Sequence, residues 1–239
     1  MKSIELPELH FGQYQSWVGL LELANKIPTG WTLIGGQLVQ LHCWEKGKSP
    51  ARITTDIDTV LNVVSNPDIL KTFTKALRDL GFTPKTSADG LQYKWVRDLA
   101  EIDVLLMDNI GERALLRKGI SGAPSLETPG GRKALDFTEK LEVRLDGLSA
   151  VINRPSLAGA LFIKSVAASN TNDFSRDRHL IDFTILTTLI DSQTLFAISD
   201  VKVINSIKSV IGNMRSRRDL LSMILGGEEG LERLEIGLS

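Results

Sequence analysis

Three aspartates are the residues in this chain whose types and spacing point most directly to chemistry. Asp56 and Asp58 are separated by one residue, and side chains at i and i+2 of a strand lie on the same face. Asp103 lies in a strand-like aliphatic run, where burying a carboxylate is costly unless a cation or a donor compensates it. Oxygen ligands from neighbouring strands favour a site for two hard divalent cations.

A pair of glycines, Gly35 and Gly36, follows the short apolar run Trp31–Ile34 and precedes a helical pattern that starts with Gln37. Glycines leave the backbone amides at the start of a helix open, and such amides bind phosphate groups. Each feature by itself is common in proteins of this size. Their order along the chain, followed by the aspartates, favours a nucleoside triphosphate as the ligand.

Charged residues in the C-terminal half form a second candidate group. Lys164 is a lone charge on an apolar helical stripe, and such a lysine either reaches the surface or meets an anion. Arg178 and Asp182 have the spacing of an ordinary helix-surface ion pair. The alternative is that Asp182 orients Lys164 or Arg178 towards the site. Arg52 either contacts a phosphate or is a solvated residue at a strand end.

Hydrophobic periodicity predicts which elements position these residues. After an opening helix at about 14–27, the pattern is β, α, β, α, β, β up to residue 107, which predicts an α+β fold with a small mixed sheet. The predicted elements around the candidate residues are strands 53–64, 91–96 and 102–106, a helix from Pro155 to about 169, and helices at 173–190 and 201–225. We therefore predict a core at 1–110, an irregular or extended connection at 111–150, and a helical lobe at 151–239.

These residues together resemble a known group of enzymes, the polymerase-β-like nucleotidyltransferase superfamily, and within it the AbiEii-type toxin nucleotidyltransferases. The residues that carry the resemblance are Gly35, Gly36, the segment 52–58, Asp103, Lys164 and the segment 178–182. The chain differs from the usual pattern of the superfamily in two ways. Gly36 stands where the superfamily often has serine, and the gap between Gly36 and Asp56 is lengthened by the polar loop 46–50.

The resemblance implies transfer of a nucleotidyl group from an NTP to an acceptor hydroxyl, with Mg²⁺ or Mn²⁺ as the cofactor. In several toxins of the family the acceptor is the 3′ end of tRNA, so RNA and an antitoxin protein are the implied partners, in a toxin–antitoxin or phage-defence setting. The implied catalytic and metal-binding residues are Asp56, Asp58 and Asp103. The implied nucleotide-binding residues are Gly35, Gly36, Gln37, Arg52, Thr55, Lys164, Arg178 and Asp182.

Two other functions stay open from the sequence. One is a catalytically silent binding or regulatory module in which the aspartates have a structural role. The other is a nucleotidyltransferase that acts on a small molecule instead of RNA.

Composition sets limits on these alternatives. The chain has 239 residues, of which 24% are charged and 42% hydrophobic, with a formal net charge of -1, so nucleic-acid contact would need a local patch. The arginines at 215, 217 and 218 form one such cluster, although a solvated face is the commoner explanation. No stretch approaches the roughly 20 apolar residues that span a bilayer, which predicts a cytoplasmic protein without membrane contact. The single cysteine, Cys43, excludes an internal disulfide and is expected to be buried.

Overall fold

Residues 1–170 and 176–239 are described by the computed structural model, and the chain divides into two units. The first unit contains Met1–Leu38 and Ile53–Pro155, and the second contains Val39–Arg52 and Ser156–Ser239. The predicted start of a helix at Asp173 lies outside the described residues.

The first unit mixes strands and helices. Its elements in chain order are β1 (Ser3–Glu5), α1 (Phe11–Lys26), β2 (Trp31–Ile34), α2 (Gly35–Glu45, which ends in the second unit), β3 (Ile57–Leu61), α3 (Ile69–Asp79), β4 (Thr83–Lys85), β5 (Lys94–Arg97), β6 (Ala100–Met107), α4 (Glu112–Leu115), β7 (Leu126–Thr128), α5 (Gly131–Asp136), β8 (Thr138–Leu145) and β9 (Leu148–Pro155).

A mixed sheet forms the centre of this unit, with strand order β2-β3-β6-β5-β4 and β7 paired to β6. Strands β3 and β6 are parallel, whereas β2 pairs antiparallel to β3 and β5 pairs antiparallel to β6. Helix α1 buries its apolar side, including Trp17 and Leu20, and α3 buries Phe73 and Leu77 at the predicted helical spacing. The predicted α+β fold with a small mixed sheet is confirmed.

The stretch predicted as an irregular connection, 111–150, belongs to the first unit. It contains β8, which pairs with β1 and with β9 in a separate three-stranded sheet. Leu141, Val143 and Leu145 alternate with more exposed residues, as expected for a strand with one buried face. Asp146 and Gly147 both have positive φ and close the β8–β9 hairpin as a two-residue turn. The first unit therefore continues to Pro155 and does not end near residue 110.

The regular elements of the second unit, as far as the structure describes it, are helices, which confirms the predicted helical C-terminal region. They are the end of α2 with α6 (Leu157–Ser169), α7 (Arg176–Thr187), α8 (Ser192–Ala197), α9 (Val201–Ser216), α10 (Arg218–Leu221) and α11 (Gly227–Gly237). Pro155 ends β9, so α6 begins at Leu157 and not at the proline as predicted. Ser156 caps it, because its hydroxyl accepts a hydrogen bond from the Gly159 amide at 3.3 Å. In the described ranges, no helix combines the length and the apolar character that a membrane crossing needs.

Candidate functional site

Two of the predicted carboxylates lie side by side in the central sheet. Asp58 on β3 and Asp103 on β6 are partners in the register of these two parallel strands. Side chains at paired positions of adjacent strands lie on the same face of the sheet. The prediction that these two aspartates come from adjacent strands is confirmed.

Asp103 is in an unusual environment for a carboxylate. The residue is 9% exposed, and its Oδ1 atom accepts no hydrogen bond from the residues that the structure describes. Lys94 on β5 is its ionic partner, with Nζ at 3.4 Å from Oδ1. Burial and the neighbouring charge of Asp58 raise the pKa of Asp103 to about 7, while Lys94 lowers it and Asp56 adds a smaller increase. A carboxylate held in this way beside another carboxylate would be stabilised by a cation.

Asp56 lies outside the strand. The β-branched run at 53–64 predicts a strand that carries both aspartates, but β3 begins only at Ile57. The preceding segment is held by a side chain instead of a neighbouring strand, since Gln37 Nε2 donates to the Thr54 carbonyl at 2.6 Å. The Thr54 hydroxyl in turn donates to Asp56 Oδ1. Asp56 is therefore placed by a hydrogen-bonded segment and not by the sheet.

The glycine turn adjoins the carboxylate pair. Ile34, the last residue of β2, is the register partner of Asp58, and Gly35 follows it directly as the first residue of α2. Gly35 has a φ of +73°, and a Cβ atom at this position would overlap the carboxylate of Asp58. Only glycine fits such a position without strain. Gly35 thus lies against Asp58 at the start of a helix, and Gly36 follows it as the second residue of α2.

The side chain of Gln37 does not face an open pocket. It is fully buried, its Oε1 atom accepts hydrogen bonds from Gln13 Nε2 at 3.1 Å and Trp17 Nε1 at 2.8 Å, and its Nε2 atom holds Thr54. This side chain was predicted to bind nucleotide, and its geometry gives it a structural role. Thr55, in contrast, is exposed in the segment before β3.

The carboxylate pair fits a divalent metal ion in part. Asp58 and Asp103 supply hard oxygen donors, which Mg²⁺ and Mn²⁺ prefer, and the buried Oδ1 of Asp103 lacks a hydrogen-bond donor within the described ranges. Residues 1–170 and 176–239 contain no group of three or more His, Cys, Asp or Glu side chains close enough to hold a metal. The donor chemistry fits a cation, while Asp56 does not complete a closed three-carboxylate group in this structure.

The charged residues predicted for the helical part form a buried cluster in the second unit. Lys164 Nζ lies 2.7 Å from Asp182 Oδ2, and Arg52 forms a fork with Asp182 through Nε at 3.2 Å and Nη2 at 3.1 Å. Burial would raise the pKa of Asp182, but Lys164 and Arg52 outweigh that effect and hold the pKa below its usual value. Asp182 therefore contacts Lys164, while its role in orienting Lys164 or Arg178 towards a nucleotide stays a prediction. The sequence did not predict that Arg52 would bind a carboxylate.

Comparison with solved structures identifies the fold. A crystal structure of an antigenic nucleotidyltransferase-like protein from Paracoccidioides brasiliensis is 15% identical, with a TM-score of 0.51, and the match covers 90% of this chain and 93% of that chain. The chain has a nucleotidyltransferase-like fold. A solution structure of the antibiotic-resistance factor ANT(2'')-Ia is 11% identical with a TM-score of 0.47, covering 90% of this chain and 97% of that chain. No protein-family model and no curated protein sequence matches the chain.

Three arginines considered for nucleotide or nucleic-acid binding, Arg178, Arg215 and Arg217, lie in the second unit. Arg178 is exposed on α7, one turn before Asp182. In the arginine cluster, Arg215 forms an ion pair with Glu235, and Arg217 pairs with Asp177 at 2.8 Å and with Asp219 at 2.9 Å. These pairs favour a solvated surface over a nucleic-acid contact.

Lys94 and Thr54 make contacts with the aspartates that the sequence did not predict. Lys94 stands beside Asp103 and forms an ion pair with Glu101 as well. Lys94 and Asp103 are paired across the antiparallel strands β5 and β6. Predicting their contact from the sequence would have required the register of these two strands. Thr54 donates to Asp56, and its spacing two residues before an aspartate is too common to predict that role.

Proposed function

We propose that this protein is a metal-dependent nucleotidyltransferase that moves a nucleotidyl group from an NTP to the hydroxyl of an acceptor. The observation that carries the proposal is the pairing of Asp58 with Asp103 on adjacent strands, directly beside the Gly35 turn. The nucleotidyltransferase-like fold supports the proposal. Two carboxylates beside a glycine turn at a helix start support it as well, because carboxylates bind divalent cations and helix amides bind phosphate.

Asp58 and Asp103, together with Asp56, would hold Mg²⁺ or Mn²⁺. The bound cations would neutralise phosphate oxygens and make the acceptor hydroxyl more acidic. The alternative role for Asp103 is that of a general base that holds no cation and accepts the proton of the hydroxyl. Its pKa in the metal-free protein, raised to about 7, suits that alternative. Lys94 partly offsets the effect of burial and of Asp58, because its ammonium group lowers the pKa of Asp103.

Backbone amides at Gly35 and Gly36 would bind the triphosphate, and the exposed Thr55 would add a hydroxyl. In the second unit, Asp182 fixes Lys164 through one hydrogen bond. An ammonium group has three N–H donors, so Lys164 would keep further donors for a phosphate oxygen. Arg52 fixes Asp182 from its other side and would act through that carboxylate. Arg178, an exposed residue on the same helix as Asp182, would contribute a positive charge to nucleotide binding.

An RNA acceptor, specifically a tRNA 3′ end, is the version of the proposal that the resemblance to AbiEii-type enzymes supports. Such an enzyme would act in the cytoplasm, and an antitoxin protein would be its partner. The ion-paired arginines of the second unit lend no support to RNA contact at that surface. The class of acceptor is decided by which molecules become labelled when the protein is supplied with labelled NTP.

The test is incubation of the protein with each of the four NTPs, labelled at the α-phosphate, with Mg²⁺ or Mn²⁺, total RNA and a small-metabolite extract. We expect label on RNA. Asp58→Asn should reduce transfer by about two orders of magnitude or more, since tenfold in rate corresponds to about 1.4 kcal/mol and a cation contributes several kcal/mol. Asp79→Asn is the matched control, because Asp79 forms an exposed ion pair with Lys75 on α3.

The outcomes separate the alternatives. Label on small metabolites alone would keep nucleotidyl transfer and replace the RNA acceptor. Binding of NTP without labelling of any acceptor would overturn the proposal in favour of a silent binding module. Full activity of Asp58→Asn would overturn the proposed mechanism.

A further inference from the structure

The segment that leads into β3 is held by two glutamines of α2. Gln37 Nε2 donates to the Thr54 carbonyl at 2.6 Å, and Gln40 Nε2 donates to the Arg52 carbonyl at 2.9 Å. The two glutamines are three residues apart, so they lie on one face of the helix. Through the first of these carbonyl contacts, α2 fixes the backbone two residues before Asp56.

Gln37 is itself held in one orientation. Its Oε1 atom accepts from Trp17 Nε1 at 2.8 Å and from Gln13 Nε2 at 3.1 Å, both on α1. An indole N–H only donates, so the Gln37 atom that faces it must be the oxygen. The amide nitrogen is therefore directed to the Thr54 carbonyl, and the fully buried side chain has no alternative arrangement with the same hydrogen bonds.

Thr54 connects Gln37 to Asp56 through two hydrogen bonds. Its carbonyl is fixed by Gln37, and its hydroxyl donates to Asp56 Oδ1. Asp58 and Asp103 are positioned by the sheet, but Asp56 precedes β3 and has no such support. One hydrogen bond to a carboxylate oxygen restricts the rotation of the carboxylate and leaves lone pairs for a cation.

We propose that Trp17, Gln37 and Thr54 form a positioning relay that sets the carboxylate of Asp56 for cation binding. The inference rests on the proposed function, because it assigns the relay to a carboxylate of that site. Trp17 and Gln37 act from the buried core, and Thr54 makes the contact with Asp56. None of the three is a catalytic residue in this scheme.

The decisive variants are at Thr54, which is half-buried, so that the fold is expected to tolerate them. Thr54→Val removes the hydroxyl and keeps the shape, while Thr54→Ser keeps the hydroxyl. Direct Mn²⁺ binding is measured from the electron paramagnetic resonance signal of the free ion, alongside nucleotidyl transfer. Supporting contacts of this kind typically change metal affinity by about 10- to 100-fold. We expect Thr54→Val to weaken Mn²⁺ binding about tenfold and Thr54→Ser to bind within about twofold of the wild type.

Thr74→Val is the matched control, because Thr74 is buried in the same unit and its hydroxyl bonds to the Leu70 carbonyl and the Ile120 amide. It should lower thermal stability without changing Mn²⁺ affinity. Gln37→Met is a second variant, expected to weaken Mn²⁺ binding as Thr54→Val does. If Gln37→Met fails to fold, the Mn²⁺ affinity of Thr54→Val alone tests the relay.

The controls distinguish failure of the relay from failure of the proposed function. If the wild type binds Mn²⁺, Asp56→Asn weakens binding and Thr54→Val binds like the wild type, the relay is overturned and the proposed function stands. If the wild type binds no Mn²⁺ and transfers no nucleotide, the proposed function is overturned, and the relay with it.

Discussion

Lys164 Nζ lies 2.7 Å from Asp182 Oδ2, and the two side chains are only 3% and 2% exposed. The charges stabilise one another where water is excluded, and Arg52 adds two hydrogen bonds from the opposite side of the carboxylate. A buried ion pair of this kind contributes little compared with an apolar pair, but removing one member leaves an uncompensated charge. The cluster therefore makes the second unit sensitive to single substitutions.

Lys164→Met should be strongly destabilising. Loss of one partner from a buried pair costs about 3–5 kcal/mol, and the remaining contact with Arg52 places the expected loss at the lower end. The double variant Lys164→Met/Asp182→Leu should recover much of it. Urea unfolding of the full chain measures both. Lys75→Met, at the exposed pair with Asp79, should change the free energy of unfolding by no more than about 1 kcal/mol. Equal effects of Lys164→Met and Lys75→Met would contradict the prediction.

The stability contribution of Asp182 should depend on pH. Although burial opposes it, the pKa of Asp182 is lowered by Lys164 and Arg52, below the value of about 3.9 expected in the unfolded chain. A lowered folded-state pKa stabilises the protein above the unfolded pKa, and this contribution is lost as the pH falls through the folded pKa. The difference in unfolding free energy between wild type and Asp182→Asn should be largest near neutral pH and shrink below about pH 4. A difference that is the same at pH 7 and pH 3 would refute this.

Gly35→Ala should damage both the fold and the site. Alanine at a positive φ costs about 1–2 kcal/mol, and here the added Cβ would also overlap the carboxylate of Asp58. Gly147→Ala is the matched control, because Gly147 has a φ of +80° and no atom within 4 Å of an added Cβ. Both variants should lose stability in thermal unfolding because of backbone strain. Gly35→Ala should lose more, because of the overlap with Asp58, and only Gly35→Ala should also lose Mn²⁺ affinity. Identical behaviour of the two would show that the contact with Asp58 is unimportant.

Cys43 should be unreactive in the folded protein. Burial raises the pKa of its thiol to about 11, with Asp182 adding to the rise and Lys48 opposing it, so very little thiolate forms at neutral pH. Alkylation by iodoacetamide, followed by mass spectrometry, should be slow in buffer and fast in 6 M guanidinium chloride, roughly as for a free cysteine. Rapid alkylation of the native protein would mean that α2 opens readily around this residue.

Features that depend on local pattern were predictable from the sequence. The stripe on α3 repeats at helical spacing, and the aliphatic run around Asp103 marks a buried strand. The order of glycines and aspartates then indicated their proximity, which the Ile34–Asp58 and Asp58–Asp103 register pairs provide.

Features that depend on distant contacts were not predictable. β-branched residues at 53–55 favour a strand, yet Gln37 competes for the Thr54 carbonyl from 17 residues away. The residues around Arg52 did not indicate that it binds Asp182, because Asp182 lies 130 residues further along the chain. The prolines and glycines between 119 and 131 concealed the continuation of the first unit into β8 and β9.

The second unit is assembled from two separate stretches of chain, Val39–Arg52 and Ser156–Ser239. The earlier stretch contacts the later one through Lys46 with Asp191 and Lys48 with the Thr188 carbonyl, at 2.8 and 3.0 Å. During synthesis, Val39–Arg52 leaves the ribosome before all of Ile53–Pro155, while its partners are still untranslated. The apolar residues of that stretch therefore stay without the rest of their unit until Ser156–Ser239 has been synthesised, which exposes the nascent chain to aggregation and to chaperone binding during that interval.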